Sequence, residues 1–134
     1  MQALVLIAHG SRRQASNQEV LDLASRLRQP AGNHYQLIKA GFLEIAEPSI
    51  PEAIETCIKS GATSIVVVPY FLAAGRHVAE DIPHIVKPVA ERHPQVTIRI
   101  SEHIGMSDSM TRLILDSAGS DSPPVLDPNL EQAG

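Results

Sequence analysis

A chain of 134 residues is suited to one domain around one core. Its apolar content of 43% and charged content of 19% are those of a globular protein, and an aromatic share of 3% without tryptophan excludes a base-stacking platform for single-stranded nucleic acid. The net charge of −4 sits in the C-terminal stretch, where Asp116, Asp121, Asp127 and Glu131 follow the last basic residue, Arg112; the neutral remainder has no excess of positive charge for a nucleic-acid partner.

Leu4 to Ala8 is an unbroken apolar run, the pattern of a strand buried on both faces of a parallel sheet. Gly10 and Ser11 end it. From about Ala15 to Gln29, the residues Val20, Leu23, Ala24 and Leu27 fall on one helical face, and Pro30 and Gly32 stop that helix. His34 to Leu43 reads as the second strand. Ser49-Ile50-Pro51-Glu52 has capping-box form with a proline in the first turn. The helix it opens carries Ala53, Ile54, Cys57 and Ile58 and stops at Gly61. Ser64 to Pro69, rich in β-branched residues, is the third strand, and Leu72 to Gly75 is a loop.

Val78 to Arg92 is helical in pattern, but Pro83 and Pro88 each remove an internal hydrogen bond, so a broken or kinked helix is expected. Val96 to Ile100 is the fourth strand. Ser107 is expected to cap a last helix with Met110, Leu113, Ile114 and Leu115. From Gly119 the composition turns to Ser, Asp, Pro and Gly. The expected organisation is a single domain over residues 1–118 and a disordered acidic tail over 119–134.

Strand and helix alternate four times. The fold class is therefore α/β, a small doubly wound, mostly parallel four-stranded sheet flanked by helices, flavodoxin-like in plan. The single Cys57 cannot form an internal disulfide and reads as a packed thiol in a reducing compartment. The first residues enter a strand at once, without a basic start or a cleavage site, and no apolar run reaches the length of a membrane span. A cytoplasmic protein with neither a membrane nor a nucleic-acid partner is expected.

Three side chains able to handle protons or metal follow apolar strands: His9 after the first, Glu44 after the second and His77 shortly after the third. Ligands of open parallel sheets bind outside the carboxyl ends of the strands, so these residues should gather at one edge. Two imidazoles and a carboxylate there exchange protons near neutrality or bind a borderline divalent ion. Each has a plainer reading, as a loop histidine bound to backbone or an acid at the start of a helix. His103 also lies beyond a strand end, whereas His34, His84 and His93 read as structural or solvated.

The segments Ile7-Ala8-His9-Gly10-Ser11-Arg12, Gly41-Phe42-Leu43-Glu44 with Pro48, and Val68 to Val78 followed by Asp81-Ile82-Pro83 carry a resemblance. Over residues 1–105 the chain resembles the short sirohydrochlorin chelatases of the CbiX and SirB type. The resemblance implies a class II chelatase fold and a lyase that inserts a divalent metal into sirohydrochlorin without ATP. It implies His9, Glu44 and His77 as the catalytic and metal-holding residues, and a homodimer. No tightly bound cofactor is implied; Co²⁺, Fe²⁺ or Ni²⁺ enters as substrate, for cobalamin, sirohaem or a nickel tetrapyrrole. One departure stands out: where the family has Leu-Gly followed closely by His-Pro, this chain reads His103-Ile104-Gly105-Met106-Ser107-Asp108.

Because the substrate carries many carboxylates, Arg12, Arg13 and Arg76, which flank the two histidines, are candidates to pair with them. Ser11 near the first helix start is another. Leu72, Ala73 and Ala74 are candidates to lie against the flat ring. Two rival functions differ in kind. A histidine phosphatase wants an arginine directly before its histidine, and here the residue is Ala8. A non-catalytic metal or tetrapyrrole carrier would share the fold and differ in turnover.

Overall fold

The unbroken apolar run near the N-terminus becomes the central strand β1 (Gln2–Ala8), with Ala3, Val5 and Ile7 buried on one face and Leu6 and Ala8 on the other. The computed structural model describes residues 1–126. β2 (Leu37–Phe42), β3 (Ser64–Pro69) and β4 (Thr97–Ile100) complete one sheet in the order β2-β1-β3-β4. All three pairings are parallel, so the sheet is wholly rather than mostly parallel.

Helices cover both faces. α1 (Gln14–Arg26) packs Val20 and Ala24 onto one face with Leu6, Ala8, Ile38 and Phe42. It is followed by the four-residue α2 (Arg28–Ala31), which carries Pro30 and ends at Gly32. The other face is covered by α3 (Ile50–Lys59), through Ile50, Ala53, Ile54 and Cys57, and by α4 (Arg76–Arg92), through Ile82, Val86 and Val89. Each fully buried Ile or Val contributes roughly 1.5–3 kcal/mol. A 3-10 turn, Ile104–Met106, leads to α5 (Ser109–Ala118).

The ends of α3 follow from sequence. The Ser49 hydroxyl accepts from the Glu52 N–H at 3.2 Å, and Pro51 lies in the first turn. At the other end Gly61, at φ 105°, donates to the Ile58 carbonyl and Ala62 donates to the Cys57 carbonyl, the paired bonds of a Schellman stop.

α4 corrects two expectations. It runs unbroken through Pro83 and Pro88, and it starts at Arg76, so His77 is in its first turn and not in a loop. Both prolines are exposed, as are Ala79 and His84, whose carbonyls the prolines leave without an internal donor. Those carbonyls are thus on the solvent side of the helix, while Ile82, Val86 and Val89 hold the inner face. At the start of α5 the cap residue is Asp108, and Ser107, the expected cap, accepts from the Ser109 N–H through its hydroxyl at 3.2 Å.

Residues 119–126 form no helix or strand, and the rest of the expected tail, residues 127–134, lies outside the described residues. Among the described residues no helix is long and apolar enough to cross a membrane.

One ion cluster ties α3 to the end of α4. Glu55 sits 3.0 Å from the Arg92 guanidinium and 3.0 Å from His93 Nε2. The Arg92 guanidinium above all holds the Glu55 carboxyl below its ordinary value of 4.5; burial opposes it, and His93 adds to the lowering. A carboxyl with a depressed folded pKa adds stability that is full above the unfolded value and lost as pH falls through the folded one. Urea unfolding at a series of pH values should therefore show Glu55→Gln costing stability at pH 7 and progressively less below about pH 4.5. An equal cost at pH 3 and pH 7 would remove the ion cluster as the cause.

Candidate functional site

The pairing of β1 with β2 continues past the ends of the strands. Leu43 donates its N–H to the Ala8 carbonyl at 2.9 Å, and Glu44 donates to the His9 carbonyl at 3.1 Å. Gly10 turns the chain away at φ 94°, so close to the second strand that a Cβ there would lie 1.8 Å from the Glu44 carbonyl oxygen. Only glycine fits that position. The two backbones thus hold His9 Nε2 3.3 Å from Glu44 Oε1, with the side chains 55% and 60% exposed.

A pair so exposed contributes about 0–1 kcal/mol to stability. Its chemical use is larger, because a carboxylate beside an imidazole orients the ring and fixes which nitrogen carries the proton. His9 also stands beside a topological switch point, the gap between β1 and β3, with Glu44 on the β2 side of it. The chain leaves β1 toward β2 and returns to the opposite side of β1 at β3, and ligands of open α/β sheets bind where the order reverses.

Beyond β3 the ladder continues as well, with Tyr70 donating to the Ile7 carbonyl at 2.7 Å. The chain then crosses Leu72, Ala73 and Ala74 and enters α4 at its cap residue, Gly75. Leu72 is 69% exposed, Ala73 is exposed and Ala74 half-buried. The backbone puts His77 at the second residue of α4. Gly105 braces this loop from the other side: its N–H donates to the Phe71 carbonyl at 3.0 Å, and a Cβ on it would lie 1.6 Å from the Leu72 carbonyl oxygen.

On the α1 side, the Ser11 N–H donates to Asn17 Oδ1 at 2.9 Å, and Asn17 Nδ2 donates to the Ser11 carbonyl at 2.7 Å. Arg13 N–H donates to the Ser11 hydroxyl at 3.0 Å. Asn17 therefore fastens the loop that carries His9 to the first turns of α1. Sequence reasoning missed it, because the contact forms between a loop and a helix turn that only the fold brings together. Ser11, Arg12 and Asn17 line a cleft of about 360 Å³ whose opposite wall is Ile45, Ala46 and Glu47.

Of the arginines singled out from sequence, Arg12 faces this cleft, Arg13 is the cap residue of α1, and Arg76 pairs with Glu80 at 3.3 Å on the solvent side of α4. His103 is half-buried and lines a separate groove of about 500 Å³ with Ile104, Met110 and Leu113. Cys57 is fully buried, and burial pushes its thiol pKa up, which fits packing rather than reactivity. Among the described residues, no group of three or more His, Cys, Asp or Glu side chains is assembled as a metal cage.

Residues 3–120 match the model of the CbiX family. The chain is 35% identical to a sirohydrochlorin cobaltochelatase of Sulfolobus acidocaldarius over 118 residues, 88% of this chain and 90% of that protein. It is 39% identical to the sirohydrochlorin cobaltochelatase of Methanocaldococcus jannaschii over 93 residues, 69% of this chain and 64% of that one, so it spans less than two thirds of that relative. The fold is similar to the crystal structure of the sirohydrochlorin chelatase SirB from Bacillus subtilis subspecies spizizenii in complex with cobalt. The TM-score is 0.77 at 30% identity, over 87% of this chain and 49% of that one.

Proposed function

This chain belongs to the CbiX family, and we propose that it inserts a divalent metal ion into sirohydrochlorin without ATP. The observation that carries the reading is the His9–Glu44 pair, held by continuous backbone pairing at the carboxyl edge of the sheet. Insertion has three demands. The macrocycle loses two pyrrole protons, the metal sheds water, and the ring is held so that the metal reaches one face. An imidazole backed by a carboxylate serves the first two. His9 and Glu44 take these tasks, and His77, in the first turn of α4, is the third member of the set. Arg12 and Ser11, on the cleft beside His9, suit the acid groups at the ring edge. Leu72 and Ala73 suit its apolar face.

Cobalt, iron and nickel all satisfy nitrogen and oxygen donors, and relatives named for cobalt and for iron make Co²⁺ and Fe²⁺ the leading candidates. The metal is cargo, with no further cofactor required. Two copies of the chain form the working unit in this reading: α5 presents Leu113, Ile114 and Leu115 to solvent, as a paired face would. The lone buried Cys57 suits a reducing, cytoplasmic setting.

The test is an anaerobic absorbance assay of purified protein with excess sirohydrochlorin and Co²⁺, Fe²⁺ or Ni²⁺ in turn. Many turnovers per protein above the spontaneous rate are expected with at least one metal. Binding that stops at one equivalent would mark a carrier instead.

A further inference from the structure

We propose that Ile45 is a substrate-contacting residue, an apolar side chain held out beside the His9–Glu44 pair by a strained backbone to grip one face of the macrocycle. The proposal rests on the chelatase reading and adds a residue to it. Ile45 has φ 71°, and the Ala46 N–H donates to the Glu44 carbonyl at 2.7 Å across it, a γ-turn of the rare positive-φ form. Among the described residues it is the one non-glycine with positive φ. A β-branched residue is among the least suited to that conformation. Its side chain is nevertheless 60% exposed, so core packing does not repay the strain. The positive φ is a cost in the free protein that no burial repays, and a residue kept so beside the His9–Glu44 pair points to a ligand.

The surroundings fit a flat, largely apolar ligand. Ile45 forms one wall of the cleft opposite Ser11, Arg12 and Asn17. On the other side of His9, the loop after β3 exposes Tyr70 and Leu72. β2 and β3 lie either side of β1, two strand spacings or roughly 10 Å apart. A ring lying across the His9–Glu44 pair thus meets Ile45 at one side and Leu72 at the other, with Arg12 near its acidic rim.

The experiment uses the full chain with Ile45→Gly and Ile45→Asn, two residues that accept positive φ. Thermal unfolding, sirohydrochlorin binding without metal, and steady-state turnover with Co²⁺ are measured against wild type. Both variants are expected to unfold at or above the wild-type temperature, because the strain is relieved and little buried surface is lost. KM and the dissociation constant for sirohydrochlorin should rise about tenfold, with kcat within about threefold. A fall in unfolding temperature in both variants would show that the turn is a structural requirement, and would overturn the proposal. Unchanged binding and KM beside normal wild-type turnover would overturn the role of Ile45 and leave the chelatase reading intact. No binding of sirohydrochlorin by wild type would remove the substrate and this proposal together.

Discussion

His9→Ala should lower kcat for metal insertion by about 10²–10⁴-fold, the usual loss when a positioned acid–base group is removed. The unfolding temperature should hardly move. His9 is more than half exposed, and its contact with Glu44 is a surface pair worth little to the fold. The backbone bonds that place the loop, from Leu43 to Ala8 and from Glu44 to His9, use main-chain atoms and survive the substitution. Glu44→Gln tests the second half of the pair. Glutamine keeps the shape and can still hydrogen-bond the ring, but carries no charge. Its loss should be smaller than that of His9→Ala, because the ring keeps a hydrogen-bond partner that orients it. A well-folded His9→Ala protein with wild-type turnover would show that the conspicuous pair at the carboxyl edge of the sheet is not where the chemistry happens.

Much of this site was legible in the sequence because two strong rules coincide. Unbroken apolar runs identify strands buried on both faces, as β1 is, and a parallel sheet gathers the residues after each strand at one edge. His9 and Glu44 are brought together by those rules alone, across 35 positions of sequence. The prolines of α4 mislead because local propensity counts the lost hydrogen bonds but not the burial of Ile82, Val86 and Val89 that pins the helix to the sheet. Asn17 and Ile45 are invisible for another reason. The clamp on Ser11 and the positive φ of Ile45 depend on where two loops meet in space, and no periodicity or composition records that. Arg76 stands beside the candidate His77 in the sequence, and in the structure it pairs with Glu80 one turn along, a contact that no strand rule marks.

Gly10→Ala should be strongly damaging for the addition of a single methyl. Two costs combine there. An alanine at φ 94° loses the conformational freedom that only glycine has, at about 1–2 kcal/mol. Its Cβ would also sit 1.8 Å from the Glu44 carbonyl oxygen, a backbone atom that cannot swing aside as a side-chain end would. Forcing the two loops apart adds roughly 1–3 kcal/mol, as overpacking does. The total, about 2–5 kcal/mol, is read by urea unfolding. Gly61→Ala is the control, because Gly61 also has positive φ, at 105°, but its nearest neighbour to a new Cβ is the flexible end of Met1 at 4.0 Å. It should lose only the conformational part. The functional consequence separates the two variants further. In Gly10→Ala the Glu44 N–H must leave the His9 carbonyl for the loops to part, so the carboxylate moves off the imidazole even in molecules that stay folded. Turnover per folded molecule should then fall toward that of His9→Ala, while Gly61→Ala keeps wild-type turnover. Equal stability losses in the two variants would mean that the close approach of Gly10 to Glu44 does not set the geometry of the pair.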